Sequence, residues 1–493
     1  MKKLISLVLA LCLVLSCGIL GSAEEEYIQI TWAQNGDAPK ANAEALEALN
    51  VLLREKIGVE LTIEYMSGEA MQLSMQSGEV YDIYYTCNWL NDVNENVSKG
   101  IFYGCTQEEI AEKAPGMYAA MSQEVWDLVT YADGKVYAFP NKKDYAAEQF
   151  MQYPKDIAEE LGYEIPEVLE SLSDVTDFLV AWKATMAEDE YPVAIPSGTG
   201  AGTGTFDSIN GNAGIGCIFG TTEVIFWLDD PSVQDFYHTL YEWMQLGLIS
   251  PDAAVETFDG LDRTIPAVQF NQCWDGYDGY TAAWGYNVGL ARLTAPMLKM
   301  SSIQGAMNAF SATLANDEEK LDACFALFDL LHTDQLVADT LRFGVQGVHW
   351  YYVEDETSPC YGGVVQTQAG KDNYSPAGYC QPSYFFCSIA VSEAQLAGEL
   401  SAPNFDQYDQ YYTAVANEAQ CSALGGFKWD STGFESVLAE LSAIQSEYSA
   451  SIKSGTIDIM DVYDEYMERV YNAGLQDVID SCQEQLDEYL ANN

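Results

Sequence analysis

Tryptophan and asparagine recur side by side in this chain. Trp32 and Asn35 close one strand-like segment, and Asn88 and Trp89 follow another. Trp284 and Asn287 end an aromatic and glycine-rich run, Trp274-Asp-Gly-Tyr-Asp-Gly-Tyr-Thr-Ala-Ala-Trp-Gly-Tyr-Asn287. An indole offers a flat apolar face, and a carboxamide offers a donor and an acceptor in one plane. Together they suit a ligand that shows both C–H surface and hydroxyl groups. They supply no nucleophile and no base. The chain has only three histidines, His238, His332 and His349, and no Gly-x-Ser-x-Gly elbow. Acidic residues abound, but no motif selects the pair of carboxylates that glycoside hydrolysis needs. No catalytic residue is expected; an exported glycosidase is the weakest alternative.

The segments that carry these residues have a readable order. Residues 27–33 are apolar on alternate positions. A helix over 40–57 aligns Leu46, Leu49, Leu53 and Ile57 on one face, and Gly58 ends it. Residues 59–65 alternate strictly, with Val59, Leu61, Ile63 and Tyr65 on one side. A helix over 68–77 and a strand over 81–86 complete a βαβαβ unit, which predicts parallel pairing with right-handed crossovers. Ligands of such sheets bind beyond the carboxyl ends of the strands. Those ends are Trp32 to Asn35 and Cys87 to Trp89.

Composition narrows the classes. With 21 basic against 75 acidic residues and a net charge of −54, nucleic acid is excluded as a partner and anionic lipid is disfavoured. The same charge predicts a neutral ligand, with basic ligands a variant if a carboxylate lines the site. The Gly-rich stretch 197–205 lacks a following Gly-Lys-Ser/Thr and a preceding strand, so no nucleotide cofactor is expected. Asp92 to Asn96 echoes a calcium loop without its Gly or terminal Glu, and no Cys-x-x-Cys occurs, so no metal is expected.

The first 23 residues read as an export signal: Lys2 and Lys3, an apolar run from Leu4 to Leu20, then Gly21-Ser-Ala23 for cleavage. Leu13-Val-Leu-Ser-Cys17 competes as a lipobox, with Cys17 lipidated. The protein is therefore expected outside the cytoplasm, secreted or lipid-anchored. Export permits disulfides, and Cys360, Cys380 and Cys387 are the best candidates. Helices are further expected over 173–186, 231–248 and 317–345, irregular β-structure over 350–390, and three helices from about 434 to 493.

Several motifs in order resemble a known family. They are Ile28-Gln-Ile-Thr-Trp32, Asn50-Val-Leu-Leu-Arg-Glu-Lys-Ile57, Ser77-Gly-Glu-Val-Tyr-Asp82, Lys99-Gly100, Gly134-Lys-Val-Tyr-Ala-Phe-Pro-Asn141 and Phe343-Gly-Val-Gln-Gly-Val-His349. Gly425-Gly-Phe-Lys-Trp-Asp430, Ser454-Gly-Thr456 and Ala473-Gly-Leu475 extend the match. The chain is similar to extracellular solute-binding proteins of ABC importers, family 1, in a lipoprotein-like branch with its own C-terminal domain. The resemblance implies an α/β, two-lobed periplasmic-binding-protein-like fold with a hinge, an interlobe cleft and a helical C-terminal segment. It places lobe 1 at 24–141, completed by about 290–350, and lobe 2 at 142–289, completed by about 351–430. Residues 431–493 would pack on the lobes.

It also implies capture of a sugar or oligosaccharide by a monomer that delivers it to a membrane permease. Loops facing the cleft then nominate Trp32, Asn35, Asn88, Trp89, Asn141, Trp284, Asn287, Trp350 and Tyr351 as ligand-binding residues. Asp82 is a further polar candidate, expected mainly to cap a turn. A peptide or other solute as ligand, or a surface sensor without transport, stays open.

Overall fold

The computed structural model describes residues 27–77, 80–146, 148–198, 202–257 and 260–492. The export signal and Cys17 lie outside these residues. The elements that matter here, in chain order, are β1 (Ile28–Asn35), α1 (Asn42–Ile57), β2 (Val59–Met66), α2 (Gly68–Ser77), β3 (Ile83–Thr86), β4 (Phe139–Pro140), β5 (Glu148–Pro154) and α3 (Pro231–Gln245). They continue with β6 (Gln269–Cys273), β7 (Val288–Arg292), β8 (Met307–Phe310), α4 (Glu318–Thr333), α5 (Gln335–Phe343), α6 (Glu435–Lys453), α7 (Ile459–Asn472) and α8 (Leu475–Asn492).

The N-terminal βαβαβ pattern folds as its periodicity requires. Val59, Leu61 and Ile63 are buried while Thr62 and Glu64 are exposed. β1 pairs in parallel with β2, Ile28 opposite Val59, and with β3, Trp32 opposite Ile83. Asn50 of α1 locks helix to strand: its side chain donates to the Leu61 carbonyl at 2.9 Å and accepts from the Leu61 N–H at 2.8 Å. Gly58 ends α1 in the left-handed conformation (φ 67°), which a glycine adopts without strain. The sheet order is β2-β1-β3-β8-β4, and β8 runs antiparallel to both of its neighbours. No sequence pattern announced that β8, some 220 residues beyond β3, would enter this sheet.

Two apolar cores result. The first gathers β1 to β4, β8, α4 and the segment that carries Phe385 and Tyr411. The second gathers β5, β6, β7, α3 and the C-terminal helices, with Leu441, Tyr466, Val478 and Leu486 buried in it. Residues 351–416 therefore complete the first lobe wherever they join a large core, through Cys380, Phe385 and Tyr411, whereas the sequence assigned them to the second. The C-terminal helices complete the second lobe from inside its core, a closer union than packing on the outside. The helical stretch expected over 317–345 is two helices, broken at Asp334, which caps α5 by accepting from the Val337 N–H.

Among the described residues, the chain passes between the cores five times, at 150–151, 270–273, 290–291, 293–298 and 416–424. Two of these passages are stitched together by parallel pairing of Met297–Leu298 with Gln420–Cys421. The expected disulfides are not formed. All ten described cysteines are free thiols, and Cys360, Cys380 and Cys387 each face a backbone carbonyl at 3.6–3.9 Å instead. A chain with two large cores has no need of covalent staples.

Leu486→Ala should lower stability by about 2–4 kcal/mol, the cost of a buried leucine cavity. Urea unfolding should show it as a loss in the same transition that Leu240→Ala weakens, since both residues sit in the second core. A Leu486→Ala protein with that transition unmoved would mean the C-terminal helices form a separate unit.

Candidate functional site

The carboxyl ends of β1 and β3 form a shelf on the first lobe. Thr86 leaves β3, and Asn91 holds the turn by accepting from the Thr86 hydroxyl and the Cys87 N–H. The turn projects Asn88 and Trp89. Asn88 donates to the Ser301 carbonyl at 2.8 Å, and the Trp89 indole donates to the Gly305 carbonyl at 2.8 Å. The indole is thus held by one edge while 57% of the residue stays exposed. Tyr379 stands beside it, 38% exposed, with ring centroids 6.1 Å apart. The Tyr379 hydroxyl accepts from the Asn35 amide at 3.1 Å. Two exposed aromatic faces and two amides therefore share one place.

The shelf rests on a buried amide relay. Asn308 of β8 accepts from the Trp32 indole at 3.0 Å. Its own NH2 donates to the Asn141 side-chain oxygen at 2.8 Å and to the Cys380 carbonyl at 3.0 Å. Asn141 in turn donates to the Tyr379 carbonyl at 2.7 Å. Trp32 (0% exposed) and Asn141 (1%) were expected at the ligand surface, and the structure buries both. They support the segment that carries Tyr379.

Other expected positions lie elsewhere. Trp284 is buried within its own aromatic segment, 4.8 Å from the Tyr280 ring, and presents no free face. Asn287 donates to both carboxylate oxygens of Asp156 at the far end of β5. Trp350 is fully buried, its indole donating to the Gly344 carbonyl at 2.6 Å. Tyr351 is exposed on the short ribbon Trp350–Tyr352/Val364–Gln366 and makes no hydrogen bond or ring contact with the shelf. Asp82 does more than cap a turn: it accepts from the Thr31 N–H and hydroxyl and pairs with Lys320 at 3.1 Å, tying β1 to α4. Of nine expected residues, the structure brings together Asn35, Asn88 and Trp89.

A second aromatic concentration lies where the 274–286 run leaves the second lobe and joins the first core. Trp274 packs against Tyr277, Phe385 and Tyr411 at 4.5–5.1 Å. Tyr408 stacks on Phe385 at 4.4 Å. Burial pushes the Tyr277 and Tyr408 phenols far above their usual range, so both stay neutral donors. Tyr379, Asn308 and Tyr408 escaped sequence reasoning because their importance depends on partners far away in the chain. An aromatic directly after the turn Ser375-Pro-Ala-Gly378 was the one local signal for Tyr379.

His332 stands behind this region, fully enclosed, its Nδ1 2.7 Å from the Phe328 carbonyl and its Nε2 3.2 Å from the Pro382 carbonyl. Burial lowers its pKa to about 4.

Residues 423–491 match the family model described as "Domain of unknown function (DUF3502)". Over 93% of its length the chain is 22% identical to a carbohydrate ABC transporter substrate-binding protein of Streptococcus pneumoniae serotype 4, covering 90% of that protein. The fold is similar to that of the N-glycan transport solute binding protein (NgtS) of Streptococcus pneumoniae, with a TM-score of 0.78 at 22% identity, covering 94% of this chain and 99% of the other. The structure of that protein in complex with Man1GlcNAc aligns with a TM-score of 0.74 at 21% identity and the same coverage. The chain has the two-domain solute-binding-protein fold.

Two predictions test this arrangement. Asn308→Ala should strand the Trp32 indole and the Asn141 amide, each a buried polar group costing about 1–3 kcal/mol unpaired; chemical denaturation should register the loss. A group with a folded pKa below its unfolded value contributes stability that is complete above the unfolded value and lost as pH falls toward the folded one. For His332 the window is pH 6.5 down to about 4, worth up to about 3 kcal/mol. Stability measured against pH should fall across that window, and less steeply in His332→Gln.

Proposed function

We propose that this protein is the extracytoplasmic substrate-binding subunit of an ABC importer and that it captures a sugar or oligosaccharide. The observation that carries the reading is the shelf at the carboxyl ends of β1 and β3. Trp89 and Tyr379 show open aromatic faces, with Asn35 and Asn88 beside them. A pyranose has a C–H face that such rings cover and hydroxyls that amides orient. The fold puts that shelf where open α/β sheets bind ligands. Relatives that transport N-glycans or carbohydrates support the same reading.

The action proposed is hinge closure about the interlobe passages. Ligand held by one lobe completes its contacts with the other, and the closed form is the one a permease accepts. A ligand drives that change only by its difference in affinity for the open and closed forms. Nothing in this action requires bond breaking, so a transport role is proposed without catalysis. Export is proposed to leave the protein on the outer face of the membrane, either cleaved after Ala23 or lipidated at Cys17; the mass of the mature N-terminus distinguishes the two.

Thermal unfolding of the mature protein against a panel of oligosaccharides and peptides tests the assignment. A glycan at 100 times its Kd should add about 2.7 kcal/mol and raise the midpoint by a few degrees. Trp89→Ala should weaken that glycan about tenfold with the unliganded midpoint unchanged. A response to peptides alone would overturn the sugar assignment. Small-angle scattering should show compaction under saturating glycan.

A further inference from the structure

Arg342 ends α5 without an acidic partner. Among the described residues the guanidinium has one hydrogen bond, Nη2 to the Tyr384 hydroxyl at 3.5 Å, and it lies over the Tyr384 ring at 4.5 Å. A guanidinium carries five N–H donors in a rigid plane, so four of them face no acceptor. None of the described carboxylates pairs with it, in a chain that has 75. By contrast, Arg54, Arg292 and Arg469 each hold at least one carboxylate. Arg342 is half-buried against the Tyr384 ring, and desolvating a permanent charge without a counter-charge is costly, a cost that a ligand carboxylate would offset.

The surroundings are shaped for that guanidinium. Gly378 abuts it so closely that a Cβ there would stand 1.3 Å from Nη1. The next residue is Tyr379 of the shelf. The Tyr384 ring beneath the guanidinium packs on Phe385 at 5.3 Å, Phe385 stacks on Tyr408 at 4.4 Å, and Tyr277 joins the same cluster through Trp274. Among the described residues neither the Tyr277 nor the Tyr408 phenol has a hydrogen-bond partner, and both residues are only half-buried, so their donors stay reachable. Asp144 also lies near these tyrosines, but its carboxylate is already paired with Lys143 at 3.4 Å. The site thus offers one planar cation with a single long hydrogen bond and two neutral O–H donors without an acceptor among the described residues.

We propose that Arg342, with Tyr277 and Tyr408, is the subsite for a carboxylate on the captured glycan, so that the ligand is an acidic sugar. This rests on the sugar-capture reading and deepens it. A carboxylate can take two guanidinium N–H groups in parallel and neutralise the half-buried charge, which a sugar hydroxyl cannot do. The net charge of −54 argued for a neutral ligand. That charge acts through solvent and is screened beyond roughly 8 Å at physiological salt. Arg342 acts at contact.

The test compares matched ligands on the mature protein by calorimetry: a glucuronic-acid disaccharide and its carboxyl-reduced form, and sialyllactose and lactose. The expected result is at least a tenfold preference for one acidic member over its neutral counterpart, and which pair shows it identifies a uronic or a sialic carboxylate. Arg342→Gln should reduce that preference to within twofold, and Arg342→Lys should keep part of it, since charge remains while the planar fork is lost. Unliganded unfolding midpoints of both variants establish that they fold. Equal affinity for acidic and neutral members, or a preference untouched in Arg342→Gln, would overturn this proposal and leave sugar capture standing. Binding of peptides and of no glycan would overturn the sugar reading itself.

Discussion

One buried side chain, Asn308, sets much of what the first lobe can present. It sits on a strand that enters the sheet from far along the chain, and it is fully buried. Its amide joins the Trp32 indole from β1, the Asn141 amide from the end of β4 and the Cys380 carbonyl. A buried amide left unpaired is costly, so this network is all-or-none: satisfied, it fixes three distant segments at one point. The exposed Tyr379 face is a consequence, since its backbone hangs from Asn141. A shelf held by the core is preorganised, and a preorganised surface spends little free energy on ordering itself when it is covered.

Three tryptophans that each donate the indole N–H to a partner in the protein differ in what covers the ring face. Trp32 and Trp350 donate to buried acceptors and are closed to solvent on every side. Trp89 donates to Gly305 from its edge and keeps its face in water. That open indole face lies beside the Tyr379 ring, 6.1 Å between centroids. The charged groups show the same division. Most described arginines are neutralised by carboxylates on the surface, whereas Arg342 is surrounded by rings and hydroxyls.

The second lobe depends on the far end of the chain. α6, α7 and α8 bury Leu441, Tyr466 and Leu486 in the same core as α3 and β5, and His238 of α3 meets Asp458 at the start of α7 at 3.0 Å. The two lobes are therefore each assembled from discontinuous pieces, joined by five passages of chain. Each core is continuous, so any relative motion of the lobes would fall on those passages.

Local order was legible in the residues. The alternation of Val59, Leu61 and Ile63, the helical face of α1, the stop at Gly58 and the three C-terminal helices all follow from periodicities of two and 3.6 residues. So did the place of Asn35, Asn88 and Trp89, because strand ends in a parallel sheet are defined by the strands themselves. Periodicity says nothing about which distant segment supplies the next strand, so β8 and Asn308 were invisible. It also cannot tell a tryptophan whose neighbours close over it from one they leave open; Trp32 and Trp89 differ only through partners 276 and 216 residues away. Burial and electrostatic pairing are properties of the assembled surface, and tertiary packing alone decided that Tyr379 would join the shelf and that Arg342 would stand without a carboxylate.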